Sequence, residues 1–265
     1  MLKIQGLYAG YPDKSVLDDI SMEARDGEVT VIVGPNGCGK STLLKSIVGI
    51  VEMSVGEIFV SASAVKGEAD EAAASGRSLA EMTAQERAQK IAYLAQSKNV
   101  PEITALRMVL HGRFPYLEFP RRYRSTDFDI ARQAMEQMGI LDLAEAPMST
   151  LSGGTRQKVY IAMALAQDTP VILMDEPTTF LDVSYQLQMM TEARALADEG
   201  KTVIMVLHDR PMALEHADQL IVMKDGRIVD GGEPEAVWAG GCLEDVFGVR
   251  VNRVETKDGW KYYCV

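Results

Sequence analysis

Val29-Thr30-Val31-Ile32-Val33-Gly34-Pro35-Asn36-Gly37-Cys38-Gly39-Lys40-Ser41-Thr42 reads as a short apolar strand running into a glycine-rich turn. Leu43, Leu44, Ile47 and Val48 then recur at helical spacing, which predicts a helix over Gly39 to Ile50. Residues 34–41 match G-x-x-x-x-G-K-[ST] in the strand–turn–helix setting that this pattern needs. Glycines let the backbone curl until its N–H groups point at a phosphate, and the helix N-terminus adds partial positive charge. Lys40 is then placed to reach the outer phosphate oxygens, and the Ser41 hydroxyl to hold Mg²⁺. An ordinary glycine-rich turn is the bland alternative. The pattern says nucleotide phosphate and nothing about the task.

Val171-Ile172-Leu173-Met174-Asp175-Glu176-Pro177 is the second half of such a site. Four apolar residues make a buried strand, and Asp175 emerges at its carboxyl end, where ligands of α/β sheets sit. Asp175 fits an indirect, water-mediated Mg²⁺ partner. Glu176 is placed to polarise a water attacking a terminal phosphate. A solvated strand exit is the alternative for Asp-Glu-Pro. Around these motifs, Leu2 to Leu7, Leu17 to Ala24, Glu57 to Ser61 and Thr202 to Leu207 read as strands. Leu220 to Met223 and Arg227 to Val229 flank a hairpin turn at Lys224-Asp225-Gly226. The middle is helical: Thr83 to Lys90 with a Thr83/Glu86 capping signal, Asp127 to Met138, and a helix opened by Ser152 that runs to Gln167. Tyr185 to Glu199 is a further helix, and the Ala-, Ser-, Gly- and Glu-rich stretch Ala62 to Ser78 predicts an exposed, mobile loop or hairpin tip.

The chain has 265 residues, 47% hydrophobic and 25% charged, enough to fill a sizeable core without disulfide or metal staples. Its 27 Lys and Arg stand against 38 Asp and Glu, a formal net charge of −11, which argues against nucleic acid as a partner. The longest uncharged stretch is eleven residues, Val29 to Gly39, too short to span a bilayer. The start reads as a strand rather than a signal core, and three cysteines without C-x-x-C spacing point to a reducing compartment. These features predict a soluble, intracellular chain without its own membrane anchor.

Leu151-Ser152-Gly153-Gly154-Thr155-Arg156-Gln157 lies between the two phosphate motifs and precedes a helix. It resembles the signature motif of ATP-binding-cassette ATPases. Gln96, in Ala92-Tyr93-Leu94-Ala95-Gln96, is similar to that family's Q-loop, and Thr179-Phe180-Leu181-Asp182 to its D-loop. His208 resembles its switch histidine, and Tyr11 the aromatic that stacks on adenine. The resemblance covers nearly the whole chain. It implies an α/β, P-loop NTPase cassette with a RecA-like core, an N-terminal antiparallel β subdomain and a helical signature subdomain. The chain is then one cassette: a core of residues 1–96 and 168–240, a helical subdomain of 97–167 and a short C-terminal extension of 241–265.

The same resemblance implies ATP and Mg²⁺ as cofactors. ATP would meet Tyr11, Gly34, Pro35, Asn36, Gly37, Cys38, Gly39, Lys40, Ser41 and Thr42, and the metal Ser41, Gln96 and Asp175. Glu176 would be the general base, with His208 holding phosphate and water in line, Gln96 sensing the metal and Lys40 on the phosphates. Two copies would dimerise head to tail. Ser152, Gly153 and Gly154 of one would then close over ATP held by the other, and Asp182 of the D-loop would also bind nucleotide.

Residues 34–42, the run EPTTFLDVSYQLQ and Val109-Leu110-His111-Gly112-Arg113-Phe114-Pro115-Tyr116 resemble importers of iron chelates and vitamin B12. Val246-Phe247-Gly248-Val249 and the strand-like tail suit the same group. That implies a polytopic permease pair, an extracytoplasmic substrate-binding protein acting indirectly, and a peripheral place on the cytoplasmic face of the membrane. Ferric siderophore is the first expectation for cargo, haem or cobalamin the second. The long Ala62 to Ser78 segment and Ala95 before Gln96, where proline is common, depart from the pattern and leave cargo open. A soluble cassette ATPase of iron–sulfur cluster assembly is the alternative. DNA-repair and ribosome-associated cassettes bring coiled coils or tandem cassettes for which this chain has no room.

Arg121, Arg122 and Arg124, interleaved with Tyr116, Phe119 and Tyr123, admit three readings: a nucleic-acid patch, a surface meeting a membrane subunit, or a solvated loop. The net charge argues against the first, and a solvated loop stays open beside the second, in which Phe114, Tyr116, Leu117 and Phe119 in Arg107 to Tyr123 are expected to form an exposed apolar docking face. Met135, Met138, Met163, Met189 and Met190 are expected to be packing. His111 and His216 lack ligand spacing, and Cys38 has no visible partner thiol.

Overall fold

In the computed structural model, which describes residues 1–61, 76–95, 100–178, 182–257 and 259–265, Leu2–Tyr11 (β1) and Lys14–Ala24 (β2) form an antiparallel hairpin. Val29–Val33 (β3) leads into Lys40–Ile47 (α1), and Met53–Val60 (β4) returns to pair with β1. Arg77–Ser78 (β5) completes an antiparallel sheet of order β2-β1-β4-β5. Residues 62–75, most of the expected loop, lie outside the described residues. Ala84–Ala88 (α2) begins at Thr83, whose hydroxyl accepts from the Glu86 N–H while the Glu86 carboxylate accepts from the Thr83 N–H.

Ile91–Leu94 (β6), Val171–Asp175 (β7), Thr202–Val206 (β8), Gln219–Lys224 (β9) and Arg227–Gly232 (β10) join β3 in a second sheet of order β10-β9-β3-β8-β7-β6. All its pairings are parallel except β9 with β10. Every residue of β3, β7 and β8 is buried, which is why these strands read as bare apolar runs. Alternate side chains serve opposite faces. Ile32, Val171, Leu173, Ile204 and Val206 join a core with α1 and the antiparallel sheet. Val31, Val33, Ile172, Met174, Val203 and Met205 join the core on the other side, built with the helices.

That second core is filled by Ala105–Leu110 (α3), Ser125–Gln137 (α4), Gly153–Gln167 (α5) and Val183–Asp198 (α6). Met135, Met138, Met189 and Met190 are buried there, as their spacing predicts, whereas Met163 is only half-buried. Arg210–His216 (α7), Pro234–Ala239 (α8) and Cys242–Phe247 (α9) precede a hairpin of Val251–Thr256 (β11) and Gly259–Cys264 (β12). This hairpin is the strand-like tail, anchored by Trp238 Nε1 donating to the Val251 carbonyl and Tyr262 N donating to Glu215.

One expectation on the helical side is corrected. Leu117 is buried at 8% exposure, and the Tyr116 hydroxyl donates to the Gln167 carbonyl at 2.8 Å, so neither belongs to an exposed apolar face. Phe119, at 97% exposure, and Phe114, at 48%, do lie at the surface. Where the turn packs inward, the charge it buries on Arg113 is fully partnered, as a buried charge must be. Its Nε donates to Asp127 Oδ1 at 3.2 Å, its Nη1 to the Ala166 carbonyl at 2.9 Å, and its guanidinium lies 4.0 Å from the Tyr116 ring centroid. Asp127 also accepts from the Arg124 N–H. Removing one partner of a buried ion pair strands the other charge. Arg113→Ala should therefore cost about 3–5 kcal/mol in urea unfolding. A loss below about 1 kcal/mol would class this pair with exposed ones.

Candidate functional site

The order β3-β8-β7 puts three strand ends side by side at the carboxyl edge of the parallel sheet. From β3 issues the glycine turn, from β7 the pair Asp175-Glu176, and from β8, after Leu207, comes His208. The turn can be this tight only with glycine at two points. Gly39 has φ +109, and a Cβ there would sit 2.8 Å from Leu17 Cδ2. A Cβ on Gly34 would sit 2.3 Å from the Met223 carbonyl oxygen. Lys40 is buried beneath the turn, where its Nζ donates to the Gly34 carbonyl at 2.7 Å and the Pro35 carbonyl at 3.0 Å. The ammonium is thereby held at the mouth of α1. Cys38 Sγ lies 3.9 Å from it, and burial pushes that thiol's pKa up against the opposing pull of Lys40.

Asn36, Gly37, Gly39, Lys40, Ser41, Thr42 and Glu176 line a cleft of ≈ 140 Å³. Ser41 Oγ donates to Asp175 Oδ1 at 2.8 Å, joining the two sequence motifs by a direct hydrogen bond. The other carboxylate oxygen, Oδ2, accepts from the Tyr93 hydroxyl at 3.0 Å. Asp175 is only 4% exposed, and the hydrogen-bond partners of its side chain among the described residues are these two neutral hydroxyls. A buried carboxylate partnered by hydroxyls fits a nearby cation, and Mg²⁺ is commonly held by one or two carboxylates with phosphate oxygens and water. Ser41 and Asp175 would hold it. Among the described residues no group of three or more His, Cys, Asp or Glu is placed to hold a metal ion.

Glu176 has φ +53, a left-handed conformation that costs a residue with a Cβ about 1–2 kcal/mol. In that conformation its Oε1 lies 2.6 Å from His208 Nε2. Imidazole and carboxylate fix each other's orientation across the ends of β7 and β8. Such a pair can take a proton from water and hold the water in place.

Other expected site residues stand apart from this cleft. Ser152 caps α5, its Oγ accepting from the Thr155 N–H at 3.2 Å, and both Ser152 and Gly153 are exposed. Gly154 lies under the Tyr185 ring, whose carbons would be 3.0 Å from a Cβ at that position. Asp182 caps α6 by accepting from the Tyr185 N–H at 3.0 Å. Tyr11, 50% exposed, ends β1 beside a separate hollow with Ile50 and Met53. Gln96 and Thr179-Phe180-Leu181 lie outside the described residues. Tyr93 is the residue that the motif reading passed over. Its signal is a lone polar tip in the aliphatic strand β6, which pairs with the Asp175 strand.

Residues 17–179 match the family model described as ABC transporter. The chain is 34% identical over 248 residues to "Petrobactin import ATP-binding protein FpuD" of Bacillus anthracis, covering 93% of this chain and 86% of that protein. It is 35% identical over 251 residues to "Ferric enterobactin transport ATP-binding protein FepC" of Escherichia coli strain K12, covering 94% and 88%. Among solved structures, a nucleotide-free ATP-binding cassette from an ABC transporter superposes with a TM-score of 0.77 at 22% identity, covering 94% of this chain and 95% of that one. At that identity the superposition speaks for the fold.

Proposed function

This chain belongs to the ABC transporter family and is an ATPase coupled to transport, and on that premise we propose that it is the energising subunit of an importer for iron chelates, ferric siderophores first. The observation that carries the catalytic half of this reading is the meeting of three motifs at one sheet edge: Lys40 under the glycine turn, Asp175 on Ser41, and Glu176 against His208. What supports the cargo is the description of relatives about 35% identical along most of their length as petrobactin and ferric enterobactin systems. None of the described helices is long and apolar enough to cross a membrane, and the solute passes through permease subunits that this ATPase energises.

In this mechanism the loop N–H groups and Lys40 bind the phosphates, while Ser41 and Asp175 hold Mg²⁺, which offsets phosphate charge when bound. His208 steadies the Glu176 carboxylate, and Glu176 takes the proton of the attacking water. The exposed Ser152-Gly153 end of α5 is a donor-rich face that its own cleft does not use. It closes the cleft of a second copy, so hydrolysis loosens the dimer and drives the permease. The permease docks at a groove of ≈ 340 Å³ between α2 and the turn after α3, lined by Val48, Ile50, Arg87, Ala88, Phe114 and Pro115. Phe119, four residues beyond Pro115, is a further apolar side chain open to a partner.

Glu176→Gln keeps shape and hydrogen bonding while removing the base. Hydrolysis should fall at least ~10²-fold, equivalent to about 3 kcal/mol of barrier, with an ATP-stabilised dimer accumulating on a sizing column. Near-normal turnover would remove Glu176 from the role. A second test concerns docking. Phe119→Asp should abolish co-purification with a polytopic membrane protein, and siderophore uptake, while the isolated chain keeps its ATPase rate within a few fold. Unimpaired uptake in that variant would place the docking face elsewhere.

A further inference from the structure

Tyr93 has no part in the scheme above, yet it touches both of its ends. Its side chain lines the groove with Ile91, Phe114 and Gln167, and its hydroxyl donates to Asp175 Oδ2 at 3.0 Å. The strand register explains the reach: Tyr93 pairs with Leu173 in the neighbouring parallel strand, two residues before Asp175. Ser41 donates to the opposite oxygen, Oδ1, at 2.8 Å. Two donors on two different oxygens fix both the direction and the twist of the carboxylate, which one donor cannot do. Ser41 Oγ also has lone pairs to offer a cation, whereas among the described residues Tyr93 reaches the site through Asp175.

We propose that Tyr93 is a positioning residue of the phosphate site, whose hydroxyl holds the Asp175 carboxylate in the orientation that receives Mg²⁺. This rests on the reading of the cleft as an ATP site. Removing the hydroxyl leaves Asp175 Oδ2 without its donor and frees the carboxylate to turn, so the metal must order it on binding. Binding of nucleotide without metal depends on the glycine turn and Lys40, which Tyr93 does not touch.

The test uses the purified chain, a fluorescent non-hydrolysable ATP analogue, and the variant Tyr93→Phe, which loses one oxygen and keeps the ring. Thermal unfolding establishes that the variant is folded. Analogue affinity in EDTA should stay within about twofold of the wild type, while the Mg²⁺ concentration giving half of the metal-dependent gain should rise about tenfold. In an Asp175→Ala background the same substitution should add no further shift, because its effect passes through that carboxylate. An Mg²⁺ curve that is unchanged or moves to lower concentration, equal weakening in EDTA, or a full shift in the Asp175→Ala background would overturn the proposal. If the wild type binds no analogue under either condition, it is the ATP-site reading that fails.

Discussion

The hydrogen bond from Ser41 to Asp175 ties the first phosphate motif to the second across 134 residues of chain. It exists because β3, β8 and β7 are consecutive in the sheet and parallel, so their carboxyl ends open on one edge. The central strands β3, β8 and β7 are buried on both faces and have almost no room for polar side chains within them. Polar chemistry is therefore confined to the strand ends. The packing of the core and the placement of the cleft are one constraint seen from two sides. Changes that shift β7 against β3 would disturb the Asp175 contact before they disturb the glycine turn.

Much of this was legible in the sequence because the signals are local. Val29–Val33 and Val171–Asp175 are apolar runs that only a doubly covered strand tolerates, and the Thr83/Glu86 box, Ser152 and Gly39 mark helix starts by the donors or the backbone freedom they supply. Tyr93 was not legible, because its role depends on which strand lies next to β7, and pairing order is a property of the whole chain. Leu117 was misjudged for a related reason. A run of apolar residues around two prolines looks like an exposed patch, but the turn packs inward with Leu117 buried and Arg113 paired with Asp127. Sequence spacing cannot see a buried ion pair formed from a loop and the helix after it.

Geometry also divides the expected site into two groups. Lys40, Ser41, Asp175, Glu176 and His208 meet within one chain. Ser152, Gly153 and Asp182 lie outside that cleft, at helix N-termini whose donors are aimed at no group of their own cleft. Tyr185 joins them, since its N–H bonds Asp182 while its ring covers Gly154. The signature end of α5 and the start of α6 are thus packed together as one unit. On this account that unit serves the nucleotide of a second copy, and each chain carries two unlike halves of a composite site.

Mixing two defective chains tests that claim most directly. A chain with Lys40→Ala has a broken phosphate half and a sound signature half, and one with Ser152→Arg has the reverse. Each alone should be inactive. In an equimolar mixture, random pairing under twofold symmetry assembles about a quarter of the sites from two sound halves, so ATPase activity should reappear at about that share. No recovery, with mixed dimers shown to form by a tag on one partner, would mean that each chain hydrolyses ATP with its own residues alone.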